Sequence, residues 1–487
     1  MASPLQPSRI VAVALAVWLA AGCVPPPQAG LRDADVSLPA RYLASTDAGD
    51  SAALPVIADA FADPQLVQLI DEALDRNQEL GIVRQEVQIA RAEVRARRGE
   101  VLPRVGLGVH AGQEKVGRYT SQGASDASTD IEPGREVPEY LGELRVGFEA
   151  TWEVDVWRKL RNAAKAARLR YLASIEGQRF VRTGVVAEVA NAYYELMALD
   201  NELQVVQAYV DLLQRSLEVV RLQKQAARVT ELAVQRFEAE LHANEARLFE
   251  VRQRIVEAEN ELHLRCGRYP QAIDRASASF HDVDLPALST GVPVALLEQR
   301  PDVRAAELEL EAAKLDVKVA RALFYPSLDI DARLGLEAFS ARRLATLPAS
   351  LLVDVSGRLL APLLNRKAIQ AEYATANAKQ LQAVLDYERT VLRAYLEVAT
   401  QLANIGNQGQ MYARRTQQVE RLERAVETST GLFRSARADY LEVLTTRRDA
   451  LESQLELIET RRAQLGARVD LYRALGGGWQ PAEEARP

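Results

Sequence analysis

The sequence predicts a mainly α-helical protein with a small β part, organised as two internal repeats. Two spans of more than a hundred residues, one after Arg158 and one after Leu363, contain no proline and carry the heptad-like apolar spacing of long helices. Short segments in which apolar and polar residues alternate strictly precede both spans. The order helix, strand, strand, long helical hairpin occurs twice, which indicates a duplicated unit.

The composition disfavours several functional classes. Of the 487 residues, 26% are charged and 6% are aromatic, a balance typical of long, surface-rich helices. The net charge of −7 is spread along the chain and offers no basic patch for nucleic acid. There is no phosphate-binding glycine loop, no nucleophile elbow and no cluster of His, Cys and carboxylates. We therefore expect no enzyme activity, no cofactor and no metal site.

The N-terminus predicts export. Arg9 precedes the apolar run IVAVALAVWLAA, which has signal-peptide length and is short for a bilayer span. The run ends in LAAGC, which resembles the lipobox of bacterial lipoproteins. Residues 1–22 are thus the predicted signal peptide and Cys23 the predicted lipidation site, with an ordinary signal peptide as the alternative. By resemblance to lipoprotein sorting rules, Val24 favours the outer membrane, and the prolines that follow predict an extended tether over 23–58.

The first repeat is expected at residues 59–268. Its opening helix should stop before Pro103, because proline disfavours helix at the residue before it. Strands are predicted at about 104–113 and 141–156, and a hairpin of two roughly 50-residue helical arms at about 157–266. The long polar connection between the two strands belongs on an exposed loop tip.

The second repeat is expected at residues 301–478, after an equatorial linker at 269–300. Its opening helix should stop before Pro326, with strands at about 327–338 and 350–363 and a helical hairpin at about 365–475. Glycine follows the last helical turn of both hairpins, which is a C-cap signal. Residues 479–487 form a C-terminal tail.

The alternating strands suit the wall of a membrane barrel. In ELRVGFEATWEVDVW (Glu143 to Trp157) every second residue is apolar, as in a lipid-facing strand, although a soluble sandwich strand is the alternative. Four strands cannot close a barrel, because the smallest membrane barrels have about eight and open edges are not tolerated in hydrocarbon. Three chains would share twelve strands around a water-filled interior. The charged face would line this lumen with Glu143, Arg145, Glu149, Glu153, Asp329, Asp331 and Arg333.

Five segments, taken in order, resemble the TolC-like family of outer-membrane efflux proteins, in its OprM-like lipoprotein branch. They are FADPQLVQLIDEALDRNQEL, ATWEVDVWRKLRNA, VPVALLEQRPDVRAAE, ARALFYPSLDI and LYRALGGGW. The resemblance implies a homotrimeric channel-tunnel, in which a shared 12-stranded β-barrel crosses the outer membrane and a long α-helical barrel enters the periplasm. It also implies a periplasmic adaptor and an inner-membrane pump of the resistance-nodulation-division (RND) type as partners. The chain would be a passive exit duct for substrates that the pump delivers.

In that family the two hairpin turns form the periplasmic gate and the adaptor-docking surface. The resemblance therefore assigns gate and adaptor contacts to Thr230, Glu231, Leu232, Asp439, Tyr440, Leu441, Glu442 and Thr445. Ala227 and Ala436 stand where the family usually has glycine, and alanine tolerates a left-handed turn less well, so tighter helical links are expected. Thr445 stands where the family often has aspartate, and Asp439 or Glu442 would supply the missing charge.

Other functions of the same fold stay open. A metal-ion efflux factor and a type I secretion outlet share it, and the chain shows no Met or His clusters that favour metal handling. A lipidated periplasmic adaptor is a further alternative, but an adaptor would carry one hairpin flanked by separate β domains. The duplicated strand pair and the two hairpins favour the channel.

Overall fold

The structure is a computed structural model that describes residues 32–42, 55–61, 63–286, 293–364, 366–435 and 437–479. Cys23, Ala436, the predicted signal peptide and most of the C-terminal tail lie outside these ranges. The described chain is mainly helical, with one four-stranded sheet and one two-stranded ribbon. None of its described helices has the length and apolar composition needed to cross a bilayer.

The first half of the chain carries helices α1 to α6 and strands β1 to β4. They are α1 Ile57–Ala60, α2 Pro64–Arg76, α3 Gln78–Glu100, β1 Arg104–Glu114, α4 Ser121–Asp126, β2 Asp130–Glu132, β3 Arg135–Glu136, β4 Leu141–Glu153, α5 Lys159–Gln225 and α6 Glu231–Arg265. Buried Asp155 sets the start of α5, because its carboxylate accepts hydrogen bonds from the N–H groups of Leu160 and Arg161 at 3.1 and 2.9 Å. Such a cap satisfies donors that the first helical turn leaves free.

The second half follows the same order of long elements. It contains α7 Leu296–Gln299, α8 Pro301–Ala322, β5 Ser327–Ala338, α9 Ala341–Leu344, β6 Leu351–Leu360, α10 Lys367–Arg434 and α11 Tyr440–Ala474. A 3-10 helix, Ser277–Asp282, lies in the segment between the halves. The strands expected to reach residues 156 and 363 end earlier, at Glu153 and Leu360.

The four long strands form one antiparallel sheet in the order β1-β4-β5-β6. Phe148 on β4 lies opposite Leu107 on β1 and Leu334 on β5. Because residues directly opposite each other project to the same face, this register collects the alternating apolar residues on one face of the sheet. Within the described residues, β1 and β6 each have an unpaired edge.

The two hairpins have arms of unequal length, and the expectation of two roughly 50-residue arms was wrong. The outgoing helices α5 and α10 have 67 and 68 residues, and the returning helices α6 and α11 have 35 each. Each returning helix ends in a Schellman motif at a glycine with positive φ, Gly267 (64°) or Gly476 (88°). Glycine at these two positions therefore fixes where the shorter arm stops.

A second helix begins where each returning helix stops. At the end of α6, the Asn77 side chain donates from Nδ2 to the Arg265 carbonyl at 2.9 Å, just before α3 begins. At the end of α11, Arg300 donates from Nη1 to the Ala474 carbonyl at 2.9 Å, just before α8 begins. In both halves a side chain that precedes a helix thus satisfies a carbonyl that the returning helix leaves free.

Arg300 is a buried cation with two carboxylate partners. Its guanidinium forms a bidentate pair with Asp302, at 2.7 and 3.0 Å, and donates to Glu397 at 2.8 Å. Burial alone would lower the pKa of Arg300, but the two carboxylates outweigh burial and raise it. A buried charge is tolerated when it is paired in this way, so Arg300 stays charged at the junction.

The chain divides into two compact units, each with its own apolar clusters. The first contains Ile89–Tyr171 and Leu308–Val384, hence the whole sheet. Its buried cluster is small: Val317, Ala320, Phe324, Tyr373 and Ala376. The second contains Leu172–Glu307 and Leu385–Pro487. It holds the three larger clusters, of which one surrounds Tyr193 and Met197.

The long connection between β1 and β4 has structure of its own. It contains helix α4 and the ribbon of β2 and β3, which the sequence did not predict. Lys115 pairs with Glu139 at 2.8 Å, and Glu132 pairs with Arg343 in the connection between β5 and β6 at 2.7 Å. The first pair joins two parts of the β1–β4 connection, and the second links the two connections to each other.

Candidate functional site

The register places all the predicted lumen residues on one face of the sheet. Arg145 lies opposite Glu337, and Glu149 lies opposite Arg333. The carboxylates at the end of β4 and the start of β5 are likewise opposite each other, at Glu153 and Asp329. Because opposite residues share a face and alternate residues on one strand return to it, the face collects Glu143, Arg145, Glu149, Glu153, Asp329, Asp331 and Arg333.

Both signs of charge meet on this polar face. Arg145 pairs with Glu143 and, at 3.4 Å, with Glu337. Arg358 on β6 pairs with Asp331 at 3.7 Å, and His110 on β1 lies 3.9 Å from Glu143. The charges on this face are therefore partly neutralised by ion pairs, and the face contacts water more favourably than hydrocarbon.

A row of glycines crosses the middle of the polar face, and the sequence reasoning missed it. Gly108, Gly147 and Gly335 lie opposite one another on three neighbouring strands. A Cβ at Gly147 would lie 2.5 Å from the Cα of Gly335, so the backbones approach too closely for any larger residue. These glycines line a cavity of about 230 Å³. Only the strand register, which aligns them, could have identified this row.

The opposite face of the sheet is apolar and exposed. Val109 and Val355 are 77% and 72% exposed, and Leu107, Phe148 and Leu334 are each more than half exposed. A contiguous apolar face of this kind rarely stays in water. At about 25 cal/mol per Å², covering it with lipid or protein would be strongly favourable.

The first hairpin tip is a left-handed turn centred on an alanine. Ala227 has φ of 57°. Its N–H donates to the Lys224 carbonyl and that of Arg228 to the Gln223 carbonyl, both at 2.9 Å, which defines a Schellman motif. The expectation of a tighter helical link was therefore wrong at this tip, because these two hydrogen bonds hold alanine in the conformation that glycine usually supplies.

The predicted tip residues of the first hairpin lie at the start of α6. Thr230 is the N-cap residue but makes no side-chain capping bond. It is exposed, as are Glu231 and Leu232. Glu231 pairs across the turn with Lys224. The tip thus presents a hydroxyl, an ion pair and an apolar side chain to solvent.

The second tip has the same plan. Asp439 is the N-cap residue of α11 and also makes no side-chain capping bond. It is exposed, together with Leu441 and Glu442, while Tyr440 and Thr445 are half-buried. The Arg437 N–H donates to the Leu432 carbonyl at 2.9 Å, which is the longer hydrogen bond of a Schellman motif. Ala436 lies outside the described residues, so the expectation of a tighter helical link stays a prediction at this tip.

Arg447, which the sequence reasoning missed, ties three helices together behind the tips. It projects from α11 and donates to the Ser216 hydroxyl on α5 at 2.5 Å and to the Thr430 hydroxyl on α10 at 3.4 Å. Burial lowers its pKa, and Arg434 lowers it further. An arginine among the apolar residues Val443, Leu444 and Leu451 was the sequence signal for this buried contact.

The described N-terminal segment, residues 32–42, lies along helix α10. Tyr42 stacks on Tyr395 with ring centroids 5.3 Å apart, and the Asp35 N–H donates to Glu388 at 3.0 Å. Nearer the sheet, Gln380 donates from its side chain to the Arg32 carbonyl at 3.3 Å. Residues nearer the N-terminus of this segment thus contact residues nearer the start of α10.

The comparisons with known proteins agree on one class. The model of the outer membrane efflux protein family matches residues 69–268 and 292–477. The chain is 28% identical over 421 residues to the pyoverdine export outer membrane protein OpmQ of Pseudomonas aeruginosa, covering 86% of this chain and 87% of the relative. It is also 28% identical over 423 residues to the cation efflux system protein CusC of Escherichia coli O6:H1, with coverage of 86% and 87%.

Solved structures share the fold. A crystal structure of CusC matches with a TM-score of 0.77 and 25% identity, covering 94% of this chain and 100% of the other. The open state of the Neisseria gonorrhoeae MtrE outer membrane channel matches with a TM-score of 0.80 and 22% identity, covering 94% and 99%. The class of protein is thus an outer-membrane channel. The chain belongs to the outer membrane efflux protein family, and it is an efflux channel of the outer membrane.

Proposed function

We propose that three copies of the chain form the exit duct of a tripartite efflux system. Each copy gives four strands to a shared 12-stranded barrel in the outer membrane, and the long helices continue it as an α-helical barrel in the periplasm. A periplasmic adaptor and an inner-membrane pump of the RND type deliver the substrate. The chain supplies a passive passage and catalyses no reaction.

The sheet carries this proposal. Its strands have 11, 13, 12 and 10 residues, so each is long enough to supply the roughly 9–11 residues that a tilted strand needs to cross hydrocarbon. One face is apolar and exposed, and the other is charged. Both edges of the described sheet are unpaired, and hydrocarbon does not tolerate open edges. Pairing β6 of one copy with β1 of the next closes all the edges of a symmetric ring.

The remaining roles follow from this arrangement. The charged face from Glu143 to Arg333 lines the lumen, and the tips at Thr230–Leu232 and Asp439–Thr445 form the periplasmic gate and dock the adaptor. Cys23 is acylated and anchors the chain in the outer membrane. The two matches to the family model, at 69–268 and 292–477, and the repeated order of long elements support two internal repeats.

The passage itself does not choose the cargo. Relatives whose names specify pyoverdine, cations and toluene align with more than four-fifths of this chain. Because one type of passage serves such different molecules, we propose that the pump and the adaptor select the substrate.

Cysteine cross-linking of membrane-embedded protein tests the shared barrel. A chain with cysteines on the two edge strands, at Val109 and Val353, should give covalent dimers and trimers with a short bismaleimide. The matched control places cysteines at Ala150 and Ala332, which lie opposite each other inside one sheet, and should cross-link only within one chain. Exclusively monomeric products from the edge pair, in protein that runs as a monomer in mild detergent, would refute the trimer.

A further inference from the structure

A pocket of about 410 Å³ lies at the foot of the sheet, where the strands meet the helices. Its apolar lining includes Val154, Val156, Trp157, Tyr325, Leu363 and Leu364. Trp157 stacks on Tyr325 with ring centroids 4.5 Å apart and donates to the Pro326 carbonyl at 2.8 Å. Leu364 is 89% exposed. Val156 and Leu363 are also more than half exposed, so the described residues leave much of this lining uncovered.

Aromatic residues with a satisfied polar edge are typical of membrane interfaces. Lys159 also lines the pocket and pairs with Glu153 at 2.5 Å, so the pocket has a polar rim and an apolar interior. This combination fits a single acyl chain whose head group stays at the interface.

The N-terminal segment is held close to this pocket. The Arg32 carbonyl accepts from Gln380, and Asp33 pairs with Lys314 at 3.6 Å. At about 1.5 Å per helical residue, Lys314 lies roughly 12 Å from the end of α8 and Gln380 roughly 20 Å from the start of α10. Both of these helix ends adjoin the pocket.

The length of chain before Arg32 matches these distances. Cys23 precedes Arg32 by nine residues, which reach about 30 Å when extended. Three of them are consecutive prolines, which favour an extended chain. The described segment already points toward the start of α10, because its contacts move from Tyr395 to Gln380 as residue numbers fall. Nine residues are therefore long enough to span the distance from Arg32 to the foot of the sheet.

We propose that an acyl chain attached to Cys23 occupies the foot pocket of its own chain. The inference depends on the acylation of Cys23 given under the proposed function. It assigns the lipid a defined protein site, beyond its general role as a membrane anchor. Each bound methylene is removed from contact with water at the interface, and Trp157 and Tyr325 cover the part of the chain nearest the head group.

Photo-cross-linking in intact outer membranes tests the site. The photoreactive residue p-benzoylphenylalanine replaces Val156, or Val109 as the matched control, which is also a valine more than half exposed but lies on β1 outside the pocket. Cells receive a fatty acid with a terminal alkyne. After irradiation and trypsin digestion, the peptide containing position 156 should carry the acylated 23–32 peptide several-fold more often than the peptide containing position 109.

The outcomes separate the possible occupants. Cross-links at position 156 only to phospholipid, or equal cross-linking at both positions, overturn the site. Cross-links between isotope-labelled and unlabelled chains in mixed trimers assign the pocket to a neighbouring copy's lipid and also overturn it. An unacylated Cys23 peptide overturns both the acylation and the site, whereas the edge-strand cross-linking test of the channel is unaffected.

Discussion

Substitution of Gly476 by alanine tests how the returning helix α11 is closed. Gly476 has φ of 88°, where a residue with a Cβ costs about 1–2 kcal/mol. A Cβ there would also lie 2.7 Å from the Gln299 carbonyl oxygen. That contact is with backbone, so the segment before α8 must move.

The movement affects a buried hydrogen bond. Arg300, the residue after Gln299, donates to the Ala474 carbonyl at 2.9 Å, and hydrogen bonds to charged groups contribute about 1.5–3 kcal/mol. Partial loss of this bond together with the backbone strain gives a total of about 2–4 kcal/mol. At about 2.1 cal/mol/K of unfolding entropy per residue, a chain of 487 residues loses about 1 °C per kcal/mol, so the melting midpoint should fall by roughly 2–4 °C.

Thermal melting of the detergent-purified protein, followed by helical circular dichroism, measures the shift. Gly406→Ala is the matched control, since Gly406 lies inside α10 and a Cβ there meets nothing within 4 Å. It should raise stability by about 0.5–1 kcal/mol. Glycine-to-alanine substitution should thus lower the melting midpoint at position 476 and raise it at position 406. An unchanged or higher midpoint for Gly476→Ala would refute the role assigned to the left-handed closure.

Three further predictions concern the tips and the buried thiol. Ala227→Gly should slow hydrogen exchange at the end of α5, because glycine relieves about 1 kcal/mol of left-handed strain. The neighbouring Ala226→Gly, at negative φ, should accelerate hydrogen exchange there. Equal effects of the two substitutions would contradict the assignment of the left-handed turn to Ala227. Asp439→Ala should raise leak current through channels in planar bilayers if the tips form the gate, whereas the exposed Asp449→Ala should not; unchanged conductance counts against gating by Asp439. Burial raises the pKa of the Cys266 thiol from 9.0 to about 11, so the native thiol carries about 100-fold less thiolate at pH 8 than a free one; maleimide should label it only after unfolding. The associated stability is complete below pH 9 and is lost as pH rises toward 11.

The sequence predicted the elements that depend on periodicity. Alternation around Phe148 identified both faces of β4, and proline-free heptads identified the long hairpins. Pro103 and Pro326 correctly marked the points where helix gives way to strand, because each lies between a helix and the next strand. These signals are local, and a single sequence contains them.

Features that depend on pairing could not be predicted in this way. The row from Gly108 to Gly335 exists only because the register aligns three strands. The positions of the hairpin turns were predicted, but the lengths of the arms were not. The prediction of equal arms assumed that a single returning helix runs along the full length of the outgoing helix. The Asn77 and Arg300 contacts show that a second helix supplies the missing length. Arg447 was missed because its partners Ser216 and Thr430 lie on other helices.

In each half of the chain, one long helix runs without interruption and two shorter helices meet end to end. The long helix has 67 or 68 residues and continuous main-chain hydrogen bonding. Beside it, two shorter helices meet at Asn77 or Arg300, where a side-chain hydrogen bond crosses the joint. Bending between the two shorter helices breaks no hydrogen bond within either of them, whereas bending the long helix would. We therefore expect each half of the chain to bend more readily at this joint than within its long helix, at a point well separated in sequence from the hairpin turn.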